Sequence, residues 1–380
     1  MASCILYQNL DASISIIDIP RSIEEAQGLT SPGRRLISSE PLKNPYPSVE
    51  PKTETAREKL GRLSLNELLL SKHLQFALED VKGEYQGEWC LPRVVTSEFG
   101  GARHDCRKRK REDSEYESVR DEKTNAAVPN VSPEVVHLEV NASGGILYHN
   151  SKEEFLSPRT GSDEKRGMIP PKSTLLCGDI FTTRDTFITS APQFHLIILD
   201  PPWPNRSARR KKSYGISYGS SEIQELLLSI PIRDHLAEGG LIGVWITNKE
   251  AFRDMLLHPG GLFDEWGVSL VEEWIWLKTT ATGEPFCALD SVWRKPYEIL
   301  LVGKRGAQHS EDVKRRVLVA VPDLHSRKPN LKPLFDHVIQ KVGYEALEIF
   351  ARNMTAGWWA WGNEVLKFQM DECWTDTEHN

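Results

Sequence analysis

The second half of the chain alternates short apolar runs with turn residues and amphipathic stretches. Several runs from Lys172 onward are unbroken Leu, Ile and Val, the pattern of strands buried on both faces of a parallel sheet. The predicted strands are Ser173–Gly178, Phe194–Leu199, Leu241–Ile246, Val271–Leu277, Tyr297–Val302, Val317–Val321 and Ala346–Phe350. Amphipathic segments predict helices at Ile223–Leu228, Lys249–Leu257 and Pro333–Val342. We therefore predict an α/β fold with a mostly parallel sheet and helices on both faces, which binds ligands at the carboxyl ends of its strands.

The first half has weaker periodicity. Residues 30–58 are rich in Pro, Ser, Thr and Lys and predict a linker, whereas Ser64 and Glu67 form a capping box that starts a helix over 65–81. Apolar residues at helical spacing on that helix indicate that it packs onto the later domain. The stretch from 102 to 171 is expected to be irregular, apart from an apolar hint at 145–148. The expected division is an N-terminal extension at 1–165, an α/β domain at 166–368 and a tail at 369–380.

Composition narrows the class of protein. The chain has 380 residues, of which 39% are hydrophobic, which excludes full disorder, and no apolar run is long enough to predict a membrane span. The N-terminus has no basic leader, so we expect no secretory signal. Six cysteines without a C-x-x-C pair indicate reduced thiols and no metal site. The net charge of −7 means that a polyanion must be bound by local patches.

Two basic patches could serve that purpose. Residues 107–111 are an unbroken run of Arg and Lys, which fits a nuclear-import signal or a nucleic-acid-binding arm, or else a solvated charge block. The second patch is looser and consists of Arg206, Arg209, Arg210, Lys211 and Lys212. Tyr214 and Tyr218 are interleaved with it, so it fits either a loop that grips a nucleic-acid strand or an ordinary exposed loop.

The chemistry centres on Asp200, Pro201, Pro202 and Trp203, which follow the predicted strand 194–199 and so stand at the ligand edge of the sheet. An Asx-type turn is the alternative for this tetrapeptide. If the reaction is methylation of the exocyclic amine of adenine, the enzyme must localise a lone pair that is delocalised into the ring. Asp200 can accept one N–H and the carbonyl of Pro201 the other, while Trp203 offers a face for a base.

These residues make the chain resemble the MT-A family of adenine N6-methyltransferases, whose signature is Asp-Pro-Pro-Trp. The resemblance covers about 172–368, half of the chain, and several further segments occur in the family's order. They are Cys177-Gly178-Asp179-Ile180, Tyr218-Gly219, Trp276-Leu277-Lys278-Thr279, Glu298, Ser326-Arg327-Lys328-Pro329, Glu348-Ile349-Phe350-Ala351-Arg352 and Gly362-Asn363-Glu364. The family has a Rossmann-like sheet with permuted motif order, which the resemblance implies here.

The resemblance also implies a cofactor, S-adenosylmethionine, and a set of site residues. Asp200, Pro201, Pro202 and Trp203 would be catalytic. The residues implied to bind the cofactor are Asp179, Ile180, Lys328, Arg352, Asn363 and Glu364. Those expected to bind the substrate are Tyr218, Lys278, Glu298, Arg209, Arg210, Lys211 and Lys212. Asp179 has a second interpretation as a helix cap, Arg352 as a surface cation, and the tryptophans at 358, 359 and 361 as mainly core.

One departure matters: the family's Arg-Pro-His-Asn is Arg352-Asn353-Met354-Thr355 here, so the His and Asn contacts to the cofactor cannot be carried over. The Trp-rich run at 357–364 most resembles the branch called methyltransferase-like protein four. That branch implies a single active subunit, no membrane, and N6-methylation of RNA adenosine, particularly 2′-O-methyladenosine of small nuclear RNA. A DNA adenine methyltransferase and a non-catalytic nucleic-acid-binding scaffold are the alternatives. We expect a nuclear protein, with a cytoplasmic pool as the alternative.

Overall fold

A computed structural model describes residues 3–29, 33–47, 54, 63–96, 134–141, 144–160, 167–204, 219–308, 312–324 and 326–376. The basic run at 107–111 and the loop 205–218, with Arg206, Arg209 to Lys212, Tyr214 and Tyr218, lie outside these residues. The strands are β1 (Ile5–Gln8), β2 (Ile14–Ile17), β3 (Arg34–Leu36), β4 (Glu134–Leu138), β5 (Ile146–His149), β6 (Leu156–Thr160), β7 (Thr174–Cys177), β8 (Phe194–Leu199), β9 (Leu236–Ile246), β10 (Val268–Lys278), β11 (Tyr297–Arg305), β12 (Lys314–Ala320), β13 (Ala346–Ile349), β14 (Trp359–Gly362) and β15 (Trp374–Asp376). The helices are α1 (Ile19–Ala26), α2 (Leu65–Glu84), α3 (Ile180–Ser190), α4 (Ser220–Ser229), α5 (Ile232–His235), α6 (Glu250–Leu257), α7 (Leu262–Trp266) and α8 (Lys332–Ile339), with a 3₁₀ turn at Asp371–Cys373.

The main sheet has eleven strands in the order β1-β2-β12-β10-β11-β9-β8-β13-β14-β7-β5. Most neighbours are parallel, whereas β11 runs antiparallel to both β10 and β9, and β1 and β5 are antiparallel edge strands. The predicted α/β class is therefore confirmed, and each of the seven predicted strands is present.

Helices cover both faces of this sheet. On one face, α3, α4, α6 and α7 bury residues such as Phe187, Leu227 and Phe252 against β8 and β9. On the other face, α1 and α8 pack Ile23 and Phe335 against the opposite side of the same strands. The three predicted helices of this half correspond to α4, α6 and α8. Because both faces are covered, ligands can reach the sheet only at its edges.

Helix α2 begins where the capping box predicts. The hydroxyl of Ser64 accepts a hydrogen bond from the Glu67 backbone N–H at 3.2 Å, and the Glu67 carboxylate accepts one from the Ser64 N–H at 2.8 Å. Its inner face buries Leu74, Leu78 and Val81 against β10 and β12. The prediction that this helix packs onto the later domain is confirmed.

The extension at 1–165 shares its structure with the α/β domain. Strand β2 pairs in parallel with β12 from Ile14 to Ile16, and β1 pairs with β2, so both belong to the main sheet. The stretch before Pro171, expected to be irregular, forms β4, β5 and β6, with β5 antiparallel to β7. That expectation was wrong for these strands because each has only four or five residues, too few for their polar and apolar alternation to be recognised.

Candidate active site

Asp200 lies where the sequence places it, at the carboxyl end of β8 in the middle of the main sheet. Its backbone N–H donates to the Ile349 carbonyl of β13 at 3.4 Å, and only 17% of its side chain is exposed. Strands β7, β9, β10, β12, β13 and β14 end at this same edge, and antiparallel β11 starts there. This edge therefore gathers side chains from many strand ends around one carboxylate.

The turn after Asp200 is supported from below by Trp203. The indole N–H donates to the Trp245 carbonyl at 2.7 Å, and its ring stacks on Phe252 with centroids 4.5 Å apart. Only 6% of Trp203 is exposed, so the structure places it in the core beneath the site instead of offering its face to a base. The Pro201 carbonyl accepts the Trp203 backbone N–H at 2.7 Å and keeps one lone pair for a substrate.

A line of alternating charges runs through Asp200. Lys328 Nζ lies 3.0 Å from an Asp200 oxygen and 3.0 Å from a Glu298 oxygen, and Lys278 pairs with the other Glu298 oxygen. Arg352 continues the line, since its guanidinium lies 3.7 Å from Asp200. The complete charge line is Lys278, Glu298, Lys328, Asp200, Arg352, Glu364 and Lys367. Five members are predicted cofactor or substrate residues besides Asp200 itself, and the structure brings them together.

The charge line sets the ionisation of its members. Burial works to raise the pKa of Glu298, but attraction to Lys328 and Lys278 outweighs burial and lowers that pKa to about 2. Burial likewise opposes the charge of Lys328, yet Asp200 and Glu298 together raise its pKa above the usual lysine value. Lys328 is therefore a fixed cation at neutral pH, and it holds the oxygens of Asp200 in place as hydrogen-bond acceptors.

Glu348 belongs to the motif segment at 348–352, but the motif predicts no role for its carboxyl group. It stands in the middle of β13, opposite Ile198 of β8 and Ala360 of β14, and its side chain has no hydrogen-bonding partner among the described residues. Burial, and then the negative charge of Asp200, raise its pKa to about 8 against the pull of Arg352. A charged residue inside an otherwise apolar four-residue strand was the signal in the sequence.

The loop that carries Lys328 is held by a buried ionic cluster. Asp323 accepts from Arg327 at 2.6 Å and lies 3.7 Å from Arg93, and at most 1% of each of these three side chains is exposed. Arg93 also donates to the carbonyls of Val321 and Pro322, both at 2.7 Å. The first hundred residues thus fasten the loop that presents the lysine, a role that the sequence did not reveal.

The predicted cofactor segment begins at the neighbouring strand ends. Asp179 caps α3 by accepting from the Phe181 N–H at 2.9 Å, so its interpretation as a helix cap is correct, and its other oxygen has no such bond. Ile180 is buried in the first turn of α3. Gly178 N–H donates to the Gly362 carbonyl at 3.1 Å where β7 and β14 end.

Two glycines allow other parts of the chain to pack closely against these strand ends. Gly178 has φ +159°, and a Cβ there would lie 2.5 Å from the Thr183 methyl. Gly362 has φ +148°, and its Cβ would lie 3.2 Å from the Phe350 Cα. The exposed Asn363 follows directly, so a carboxylate and an amide face the same edge as Asp200.

The structure also shows how deeply Arg352, Met354 and Trp361 are buried. Arg352 is not a surface cation, because only 11% of its side chain is exposed and it also donates to the Ser326 carbonyl at 3.1 Å. Met354, which stands at the family's His position, is fully buried in the core. Trp361 is core as well, stacked on Phe187 at 4.2 Å.

A mostly parallel, helix-covered sheet with an Asp-Pro-Pro-Trp turn at its ligand edge defines a Rossmann-like methyltransferase. The MT-A70 family model matches residues 194–364. The N6-methyladenosine RNA methyltransferase MTA1 of Cryphonectria parasitica is 40% identical over 390 residues, 99% of this chain and 95% of that protein. The chain belongs to the MT-A70 family and is an adenine N6-methyltransferase.

Two further relatives differ in their named targets. The N(6)-adenine-specific methyltransferase METTL4 of Mus musculus is 34% identical over 61% of this chain and 49% of that protein. A DNA N6-methyl methyltransferase of Caenorhabditis elegans is 32% identical over 56% of this chain and 57% of that protein. The substrate is thus adenine in nucleic acid, and the scaffold alternative is set aside. Among the described residues, no helix is long and apolar enough to cross a membrane.

Proposed function

We propose that the protein uses S-adenosylmethionine to methylate N6 of adenosine in RNA, with 2′-O-methyladenosine of small nuclear RNA as the preferred target. The observation that carries the proposal is the clamping of Asp200 between Lys328 and Arg352 at the ligand edge. A carboxylate fixed in this way is a preorganised acceptor for the N–H of an exocyclic amine.

The residues of the turn divide the work on the base. Asp200 accepts one amine hydrogen, and the remaining lone pair of the Pro201 carbonyl accepts the other, which draws the nitrogen lone pair out of the ring. Pro202 stiffens the turn because its φ is fixed. The hydrogen bond from the Trp203 indole N–H to the Trp245 carbonyl holds the turn in position against the sheet. Lys278 pairs with Glu298, and Glu298 in turn holds Lys328 beside the Asp200 carboxylate.

The donor set at the strand ends fits S-adenosylmethionine, which when bound would supply an electrophilic methyl group. The free Asp179 oxygen can accept from an adenine amine, and Asn363 and Glu364 can hold a ribose diol. Lys328 and Arg352 offer cations to a carboxylate. Gly178 and Gly362 have no side chains, so neither places a Cβ atom at this part of the edge.

RNA is favoured over DNA because the relative that is aligned over 95% of its length is named as an RNA methyltransferase. We further propose that the protein acts as a single subunit, and that the basic run at 107–111 directs it to the nucleus. Fluorescent fusions with and without neutralisation of that run test the location: loss of nuclear signal supports the import role, and unchanged signal contradicts it.

The decisive experiment is mass spectrometry of nucleosides after incubation with labelled cofactor and separate RNA and DNA pools. We expect labelled N6-methyladenosine, and its 2′-O-methyl form from capped small nuclear RNA, in the RNA pool. Label confined to N6-methyldeoxyadenosine would refute the RNA assignment in favour of DNA. An Asp200→Ala variant is the control for contaminating activity, because it lacks the acceptor.

The segment 205–218 directly follows the Asp-Pro-Pro-Trp turn in sequence, so we propose that its cations bind phosphates flanking the target. Replacing Arg209, Arg210, Lys211 and Lys212 together by Ala should weaken polynucleotide binding and reduce the salt slope by up to about 3. Cofactor binding should be unchanged. The matched control neutralises four cations of 107–111. If only that control changes the salt slope, the nucleic acid approaches from the other patch.

A further inference from the structure

A large aromatic side chain stands in solvent on the loop between β10 and β11. Trp293 is 54% exposed, and its neighbour Val292 is 43% exposed. Tryptophan is a large apolar group, and a folded protein has no stability reason to leave more than half of it in water. An exposed indole is available to stack on a ligand, and the groups around it decide which ligand fits.

The loop holds Trp293 at the same edge of the sheet as the Asp200 carboxylate. The loop leaves the sheet at Lys278 and returns before Glu298, which are two members of the charge line that includes Asp200. The Lys278 backbone N–H donates to the Pro296 carbonyl at 2.7 Å. Trp293 is three residues before Pro296, so its backbone lies within about 11 Å of the Pro296 backbone. Trp293 is therefore displayed at the ligand edge, beside the end of β10.

The exposure of Trp293 is imposed by a well-braced loop. The Ser291 hydroxyl accepts from the N–H groups of Trp293 at 3.3 Å and Arg294 at 3.2 Å. On one side, Lys295 pairs with Glu67 of α2 at 3.1 Å. These bonds fix the backbone on which the indole is displayed.

On its other side the loop is braced by an aromatic and cationic contact. The Arg294 guanidinium lies over the Tyr46 ring at 5.6 Å, and Tyr46 donates its backbone N–H to the Phe286 carbonyl at 2.8 Å. Arg294 has no carboxylate partner among the described residues, unlike Lys295. An exposed indole beside an unpaired arginine is the combination that binds single-stranded nucleic acid, where the base stacks and the cation meets a phosphate.

We propose that Trp293 stacks on a nucleotide of the strand that carries the target adenine, within a few positions of that adenine, and that Arg294 contacts a phosphate of the same strand. This inference rests on the proposed function, because it assumes that a nucleic-acid strand enters at the Asp200 edge. It adds a sequence-tolerant substrate contact on the side of the site formed by β10 and β11. A base accepted there need not be a particular one, because every base has a face that can stack.

The test compares Trp293→Ala, Trp293→Phe and the control Phe76→Ala, whose ring is 60% exposed on the outer side of α2. The probes are a 9-mer of uridines around one central adenosine, its deoxy counterpart, and free adenosine. Stacking worth ~1–3 kcal/mol predicts that Trp293→Ala raises Kd and KM for the 9-mer about 5- to 100-fold. We expect kcat within about twofold, cofactor Kd unchanged, and most of the affinity restored by Trp293→Phe.

A direct contact is tested by placing 5-iodouridine on either side of the adenosine and identifying the photocrosslinked peptide. A crosslink to Trp293 supports the proposal. An unchanged Kd in Trp293→Ala, an equal effect of Phe76→Ala, or an effect confined to self-association would overturn it, and the last result would assign the loop to a protein partner.

The proposed function and the proposed stacking contact would be refuted by different results. If the wild-type enzyme methylates neither 9-mer nor any pool, the proposed function fails, and the binding and crosslinking measurements still decide the role of Trp293. If the wild-type enzyme methylates the 9-mer and Trp293→Ala does so with the same KM, only the stacking contact is refuted.

Discussion

Glu348 should make the stability of the protein fall with rising pH, and Glu348→Gln should remove that fall. Its pKa is raised from 4.5 to about 8 by burial and by Asp200. Between these two values the folded state keeps a proton that the unfolded state has lost. The free energy of unfolding therefore drops by up to about 1.4 kcal/mol per pH unit in this window and levels off above it. Over the whole window the limit is about 5 kcal/mol, which the partial exposure of Glu348 reduces to about 2.

The assay is urea unfolding of wild type and Glu348→Gln at pH 5, 6, 7, 8 and 9. The amide cannot ionise, so the stability advantage of the variant should grow from pH 5 to pH 8 and then stay constant. Glu345→Gln is the matched control, since Glu345 is an exposed carboxyl just before the same strand. Parallel stability curves for wild type and Glu348→Gln across the series would refute the reasoning.

Three further predictions concern the site and its supports. Asp200→Asn should reduce the rate of methyl transfer at least about 100-fold, because the amide keeps the shape of the carboxylate and loses its charge. Calorimetry should show a cofactor Kd within a few-fold of the wild-type value. A variant that keeps more than a tenth of the wild-type rate would contradict the role of Asp200 as the acceptor for the amine. Asn363→Ala should raise the cofactor Kd more than it changes base selection, and an unchanged Kd would mean that the ribose is held elsewhere. Asp323→Ala leaves Arg93 and Arg327 without their shared carboxylate and should lower the free energy of unfolding, measured in urea, by about 3–5 kcal/mol. A loss below about 1 kcal/mol would show that the cluster does not stabilise the fold.

The elements that were predictable from sequence are those with long apolar runs. Strand β8 occupies Phe194–Leu199, as predicted. Five of its six residues are apolar, and the apolar run ends at the charged Asp200. Strand β9 begins at Leu236, five residues earlier than predicted, since Gly239 and Gly240 interrupt its pattern. Strand β2 was not recognised because four residues carry too little pattern, although all four are buried.

The Asp-Pro-Pro-Trp turn and six of the seven residues of the charge line were predictable because motifs name them. The depth of Trp203 was not, since whether an indole faces a ligand or the core depends on Phe252, which is distant in sequence. The Arg93, Asp323 and Arg327 cluster was unpredictable for the same reason: charged residues separated by more than two hundred positions give no local signal. The display of Trp293 likewise depends on contacts with α2 and Tyr46.

The pairing of β2 with β12 bears on how this enzyme can be shortened for practical use. A fragment that starts at residue 166 would contain the MT-A70 match at 194–364, yet it would leave β12 with a bare edge. Such an edge is a template for pairing with other chains, so the fragment would tend to aggregate on expression. It would also lack Arg93, which fastens the lysine-bearing loop. Useful shortened forms should keep both ends of the chain and remove only internal segments.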